Sequence, residues 1–280
     1  MARISYYRLS AYWHPFKHPD DTFIAGATFE RAIELYEFDR RLRLCVFDAI
    51  QRVEILLRTK ITYQLGHRHG AFAHEDARNF DHSWAVGHRD WIDSLRKETH
   101  RARENFLGHF RSKYNGFPSI PIWMASEVMS FGSLSLLFEN MLTGDRLPIA
   151  GEFGVTAIVA VSWLRSLSYV RNVCAHHGRL WNRELSIKPL LPKKDPTWQF
   201  GNTRVFCVLS ILRHLTKPVP GGEQWAQDAA RLLQSVDKDR LFATSMGLPS
   251  TWTDHSLWKS PLAASGSCAQ VLAGRPACCR

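Results

Sequence analysis

The sequence predicts an all-α protein, and two observations carry that prediction. Apolar residues recur at three- and four-residue spacings through most of the chain, and no convincing run of alternating strands appears anywhere. One compact helical domain is expected over residues 1–259, without an internal repeat. Residues 260–280, "SPLAASGSCAQVLAGRPACCR", hold small residues with no amphipathic period and are expected to form a disordered tail that carries no chemistry.

The strongest periodic signal is "TFERAIELYEFDRRLRLCVFDAIQRVEILLRTKITYQLG". Phe29, Ile33, Tyr36, Leu44, Phe47, Ile50, Val53, Leu57 and Ile61 predict one long amphipathic helix or two, opened by an N-cap at Thr28 and stopped at Gly66. "HRHGAFAHEDARNFDHSWAVGHRD" is rich in His, Asp and Gly without a sustained period, and reads as a connection with short turns. A helix over 91–107 places Trp91, Leu95, Phe106 and Leu107 on one side. The breaker "YNGFPSIPI" precedes a helix over 123–142, in which Gly132 permits close packing. From Val155 to His177 a further helix buries Ile158, Val159, Trp163, Leu167 and Val170. Pro189, Pro192 and Pro196 then interrupt the chain, and helical patterning returns in "TRVFCVLSILRHL" and "EQWAQDAARLLQSV".

A hydrophobic content of 45% with 22% charged residues excludes disorder as the default. The excess of 36 Lys and Arg over 26 Asp and Glu, a formal +10, favours a polyanionic partner such as nucleic acid without specifying one. "VTAIVAVSWL", the longest apolar stretch, is broken by Thr156 and Ser162 and is too short to span a bilayer, and "MARISYYRLSAYWHPF" lacks the apolar core of a signal peptide. The expected location is the cytoplasm, with no membrane partner. Six cysteines show no CxxC spacing, and Cys45, Cys174 and Cys207 sit in apolar helical contexts as small hydrophobes. No cofactor is expected.

Chemistry concentrates in "SYVRNVCAHHGRLWNR", residues 168–183. Asn172 and His176 share a helical face, whereas Arg171 and His176 are about 140° apart around an undistorted axis. They meet one ligand only if the arginine stem wraps round or the helix loosens, and Gly178 marks a helix end where loosening is expected. Adjacent His176 and His177 point about 100° apart, with no carboxylate or third histidine at ligand spacing, which argues against a metal site. A polar terminus that merely caps the helix remains open, because basic residues there are favoured by the macrodipole.

The Arg-Asn-x-x-x-His core at 171–176 resembles the Arg-polar-x-x-x-His motif of HEPN-superfamily ribonucleases. The longer string "VRNVCAHHGRLWNR" resembles the Abi-like family of bacterial abortive-infection proteins of the D/F type. "ISYYRLSAYWHPF" and "PIWMASEVMSFGSLSLLFENM" are similar to that family's N-terminal and middle signatures, and "FDRRLRLCVFDAIQRVEILLR" and "MGLPSTWTDHSLWK" extend the likeness to about Lys259. The resemblance implies a HEPN-like helical bundle with additional helices. It also implies a helical segment ahead of the aromatic signature, so the chain is expected to begin late relative to the family.

The resemblance further implies metal-independent cleavage of RNA in anti-phage defence, by a homodimer that pairs two motifs. That chemistry needs a base for the 2′-OH, an acid for the leaving 5′-oxygen, and positive charge on the phosphate. Arg171 then takes the phosphate charge, His176 the proton transfer, and Asn172 the orientation of His176 or a substrate contact, with His177 accessory. Arg165, Arg179 and Arg183 are candidates for steering RNA. Two rival expectations are an RNA-binding protein that does not cut, and the neutralising partner of a toxin–antitoxin pair.

Other features point to structure. His67, His69, His74, His82 and His88 are expected as solvated loop residues. Glu54 and Arg58 are expected to pair at i, i+4, and Glu127 to be buried as a positioning partner. Arg8 and the aromatics of "YYRLSAYW" either stack RNA bases or build core.

Overall fold

The computed structural model describes residues 4–259 and 261, so apart from Pro261 the tail, with Cys268, Cys278 and Cys279, lies outside the described residues. The fold is all-α. Eleven α-helices are described: α1 (Tyr6–Trp13), α2 (Phe29–His69), α3 (Ala85–Arg101), α4 (Asn105–Lys113), α5 (Ile122–Val128), α6 (Phe131–Asn140), α7 (Thr143–Glu152), α8 (Ala157–Ala175), α9 (Val205–Thr216), α10 (Gly222–Gln234) and α11 (Arg240–Met246). Two isolated bridges, Lys17 with Phe23 and Phe80 with Met141, are the only β pairing among the described residues.

The chain divides into two compact units interleaved in sequence. The first comprises 1–49, 171–185 and 203–280, and the second 50–170 and 186–202. Two of the four boundaries fall inside α2 and α8, where no breaker residue marks them.

In the first unit, Leu35, Phe38, Leu42 and Val46 of α2 are fully buried, with Leu9, Tyr12 and Phe16 from the N-terminal segment. The periodic phase expected here, through Phe29, Ile33, Tyr36 and Leu44, is wrong: Phe29 and Leu44 are exposed and Ile33 and Tyr36 half-buried. The buried stripe includes the charged Asp39 and Arg43, which disguised it. The segment "MGLPSTWTDHSLWK" buries Trp252 and Trp258, and the Trp258 indole donates to Ser210 Oγ at 3.2 Å.

In the second unit the α2 phase is as expected, with Val53, Leu57, Ile61 and Leu65 buried. Thr28 caps α2 through Oγ1, which accepts from the Arg31 amide at 3.2 Å. The helix does not stop at Gly66. It runs to His69 and ends at Gly70, whose φ of +87° is the left-handed geometry a helix stop requires.

The connection after α2 holds three 3₁₀ turns, at Ala73–Glu75, Ala77–Asn79 and His82–Trp84. Its histidines are not uniformly solvated: His67 and His69 lie in the last turn of α2, and His74 and His88 are buried. The helices expected over 91–107 and 123–142 are each broken in two. Ser130 interrupts the latter because its hydroxyl accepts from the Ser133 amide at 3.2 Å and starts α6 afresh. In α8, Trp163, Leu164, Leu167 and Val170 are buried, but Ile158 is exposed.

Cys174 and Cys207 are buried and Cys45 half-buried, and burial pushes all three thiols up to about 12. Glu54 and Arg58 pair at 2.9 Å, as their spacing predicts, while Glu127 is exposed rather than buried. Among the described residues no single helix is long and apolar enough to cross a membrane, although α7 and α8 reach that length and composition together across a 74° bend.

Candidate functional site

The motif sits in the first unit, at the end of α8. His176 donates its amide to Asn172 O at 3.0 Å, so the helical ladder reaches one residue past Ala175. His177 then takes a left-handed backbone with φ +56°. Its amide bonds Cys174 O at 3.0 Å and the Gly178 amide bonds Val173 O at 2.8 Å, the paired bonds of a Schellman stop.

The left-handed residue is therefore His177 and not Gly178. Glycine at 178 instead avoids a tight approach: a methyl there would stand 3.2 Å from Val173 O and 3.1 Å from Val173 Cγ1. Histidine is one of the few non-glycine residues enriched in this backbone region. Both imidazoles are exposed, as is Asn172.

Arg171 is half-buried, with its guanidinium 5.9 Å from the centre of the Phe47 ring. Its Nη1 donates to Asn172 Oδ1 at 3.3 Å, while Nε is buried without a partner among the described residues. The Asn172 side chain thus meets Arg171, and no bond from it to the His176 ring occurs among the described residues.

Three more arginines gather at the turn. Arg8, from α1, donates through Nη1 to His177 O at 3.0 Å. Arg179 donates through Nη1 to Ala11 O, and Arg183 through Nε to Arg179 O at 2.7 Å. These bonds give Arg179 and Arg183 a structural role beside the steering role expected of them. Among the described residues none of Arg8, Arg171, Arg179 or Arg183 has a carboxylate partner. Burial pushes the Arg179 guanidinium below its ordinary value, against the charges of Tyr12 and Asp39, and the charge of Arg183 adds to the drop. Arg165, in the second unit, is exposed and pairs with Glu139 at 3.4 Å, so its charge is partly answered.

Beneath the turn lies a buried cluster that sequence reasoning missed. Asp39 is fully buried, and its Oδ1 accepts from the amides of Leu180 at 3.0 Å and Trp181 at 2.8 Å. Its Oδ2 accepts from Tyr12 Oη at 2.6 Å and from Arg43 Nη1. Burial pushes the Asp39 carboxyl up, against the four donors that hold it down. The Tyr12 hydroxyl is also raised, chiefly by burial and then by the charge of Asp39. One carboxylate thereby ties α1, α2 and the segment after the motif together. The signal was present in the sequence as an Asp and an Arg at i, i+4 within the stripe of Leu35, Leu42 and Val46.

Clefts of ligand size occur among the described residues. One of about 440 Å³ in the first unit is lined by Ser10, Ala11, His14, Pro15, Arg179 and Asn182. Another of about 420 Å³ in the second unit is lined by residues including Tyr63, His67, Trp123 and Glu127. Among the described residues no group of three or more His, Cys, Asp or Glu is placed to hold a metal ion.

The described structure is all-α, with an exposed histidine pair closing a helix beside several arginines. The chain belongs to the Abi-like protein family, whose model matches residues 1–182 and so includes α1 to α8 and the whole helix-terminal turn. Membership points to abortive-infection defence. Arg183 and the "MGLPSTWTDHSLWK" segment lie beyond the matched span. No curated protein and no solved structure matches the chain.

Proposed function

We propose that this protein is a metal-independent endoribonuclease of the HEPN type, acting in the cytoplasm as a homodimer in abortive-infection defence. The observation that carries the proposal is the exposed His176 at a helix end whose next carbonyl Arg8 holds, in a segment that also carries Arg171, Arg179 and Arg183, none of them hydrogen-bonded to a carboxylate among the described residues. A capping role alone would leave these arginines without an anion in hydrogen-bond contact among the described residues. A phosphodiester supplies one.

In the reaction, one His176 takes the proton of the RNA 2′-OH as the 2′-oxygen attacks phosphorus. The bond from phosphorus to the 5′-oxygen breaks, and the partner protomer's motif protonates that oxygen, leaving a 2′,3′-cyclic phosphate. Arg171, held by Asn172, answers the charge that builds on the phosphoryl oxygens, and His177 is accessory. Because the nucleophile belongs to RNA, DNA is resistant.

The test is labelled RNA incubated with the protein in excess EDTA, beside His176→Ala and Arg171→Ala. Cleavage to 2′,3′-cyclic ends that both substitutions abolish is the expected result. Activity that EDTA removes overturns the metal-free mechanism, and RNA bound but left intact by the unsubstituted protein favours the non-cutting, RNA-binding reading.

A further inference from the structure

The cleft between α2 and α5 lies wholly in the second unit, and nothing in the proposed reaction uses it. Contacts between the two helices build its floor. Arg58 donates through Nε to Ser126 O at 2.6 Å, the Thr62 hydroxyl donates to Ser126 Oγ at 3.0 Å, and a methyl at Gly66 would stand 3.7 Å from Ile122 Cγ2. The residues one step further round each helix therefore form the rims. Thr59, Tyr63 and His67 follow one another at four-residue spacing on α2, and Trp123 and Glu127 do so on α5. The volume of about 420 Å³ suits one small ligand.

Most polar groups of the cleft are spent within the protein. Arg58 is answered by Glu54 at 2.9 Å and by the carbonyls of Ser126 and Met129, and the Thr59 hydroxyl donates to Ile55 O at 2.9 Å. Glu127 is different. It is exposed and has no hydrogen bond or ion pair among the described residues, so its carboxylate is both unanswered and open to solvent. Two large aromatic side chains are left exposed on the same rims, Trp123 at 51% and Tyr63 at 63%. The Tyr63 ring packs on the His67 ring, their centres 4.1 Å apart, and is held by it.

An unpaired carboxylate between aromatic rings favours a cation, because the ring faces and the carboxylate attract positive charge together. On a chain with a formal charge of +10 this cleft runs against the general field, and its free carboxylate repels phosphate. A guanidinium fits better than an ammonium, since it is planar, stacks on aromatic faces, and offers paired N–H donors to both oxygens of one carboxylate.

We propose that the α2–α5 cleft binds a guanidinium group, with Glu127 accepting its N–H donors and Trp123 and Tyr63 packing on its faces. The group is carried by a free alkylguanidine or by an arginine side chain, which present the same chemistry to the cleft. The proposal does not depend on the ribonuclease reading.

Titration calorimetry on the full chain tests it, with agmatine and N-acetyl-arginine amide as probes and N-acetyl-citrulline amide as the uncharged isostere of the second. Glu127→Gln and Trp123→Leu are made singly, both at exposed side chains, and each is checked for an unchanged thermal melt. A guanidinium probe is expected to bind in the millimolar range or tighter, and the citrulline amide at least about tenfold more weakly than the arginine amide. Glu127→Gln is expected to weaken guanidinium binding by about tenfold and Trp123→Leu by about threefold. Tighter binding of agmatine assigns the group to a free small molecule, and tighter binding of the arginine amide assigns it to a side chain. Absence of heat from both probes at millimolar concentration overturns the site. So does a citrulline amide that binds as well as the arginine amide, or a folded Glu127→Gln variant that binds as tightly as the parent. Guanosine bound where neither guanidinium probe binds overturns it in favour of a nucleobase. None of these outcomes alters RNA cleavage, so failure of this site and failure of the nuclease reading are told apart.

Discussion

Two of the acid–arginine pairs of helix α2 at i, i+4 spacing, Asp39 with Arg43 in the first unit and Glu54 with Arg58 in the second, work in opposite ways. In the first unit the acid does the holding: Asp39 is fully buried and gives one oxygen to two loop amides and the other to Tyr12 and Arg43. In the second unit the base does: Arg58 donates through Nε to Ser126 O at 2.6 Å and through Nη2 to Met129 O at 3.0 Å, while Glu54 only balances its charge. Each pair secures backbone left unpaired by a helix break. The acid accepts from two amides of the irregular segment after α8, and the arginine donates to carbonyls at the C-terminal end of α5, each as its own chemistry allows.

The comparison breaks most sharply at Asp39. Asp39→Ala leaves Arg43 buried without its counter-charge and the Leu180 and Trp181 amides without their acceptor, so a loss of about 3–5 kcal/mol is expected. Urea unfolding followed by circular dichroism measures it. A midpoint shift equivalent to less than about 1 kcal/mol would mean that water reaches the cluster and that the carboxylate is not its anchor.

His74 supplies a contrast within the second unit, being buried but unpaired. Neither ring nitrogen has a hydrogen-bond partner among the described residues, and the Glu75 carboxylate, 4.0 Å from Nε2, is beyond reach. Burial, with the charges of His88 and Arg96 adding to it, pushes its pKa from an ordinary 6.5 down to about 4. Between those values the unfolded chain holds a proton that the folded chain does not, so stability falls as pH drops through 6.5 and the loss is complete below 4. The loss from this one group is roughly 3 kcal/mol. Unfolding measured at pH 7 and pH 4 checks it, since His74→Leu is expected to remove that part of the acid sensitivity. An equal acid loss in the substituted protein assigns it elsewhere.

Arg58→Met is the second-unit counterpart of Asp39→Ala, with a smaller expected loss of about 2 kcal/mol, because the pair is partly open to water and Glu54 can be solvated once alone. If Arg58→Met instead costs more than Asp39→Ala, the ranking by burial is wrong. Denaturant midpoints of the two variants, measured side by side, decide it.

These pairs also explain what the sequence made legible. Where α2 buries only apolar residues, from Ile50 to Ile61, periodicity gave the correct face. Where Asp39 and Arg43 enter the core as a mutually neutralising pair, hydrophobicity put Phe29 and Leu44 inside in error. Helix breaks escaped for a related reason, since the Ser130 cap is a local hydrogen bond inside a continuous apolar run. At the motif, the residues and the helix end were readable, but the residue that turns left-handed was not, because glycine at 178 is the commoner choice and a close approach to Val173 has claimed it instead.

His177 gives the smallest expected effect and the finest discrimination. As the left-handed residue of a Schellman stop it carries a Cβ that glycine would not, and His177→Gly is expected to stabilise the protein by about 0.5 kcal/mol after the added freedom of the unfolded chain is offset. Arg8 takes the carbonyl of His177 rather than its ring, so that tether survives the substitution. RNA affinity in the His176→Ala background is then expected to fall by no more than about threefold, a contribution within the range of one exposed contact. A loss of about tenfold or more would place the imidazole of His177 on the substrate alongside His176. In that event the left-handed turn holds two adjacent rings for one ligand, and helix capping is only its secondary consequence.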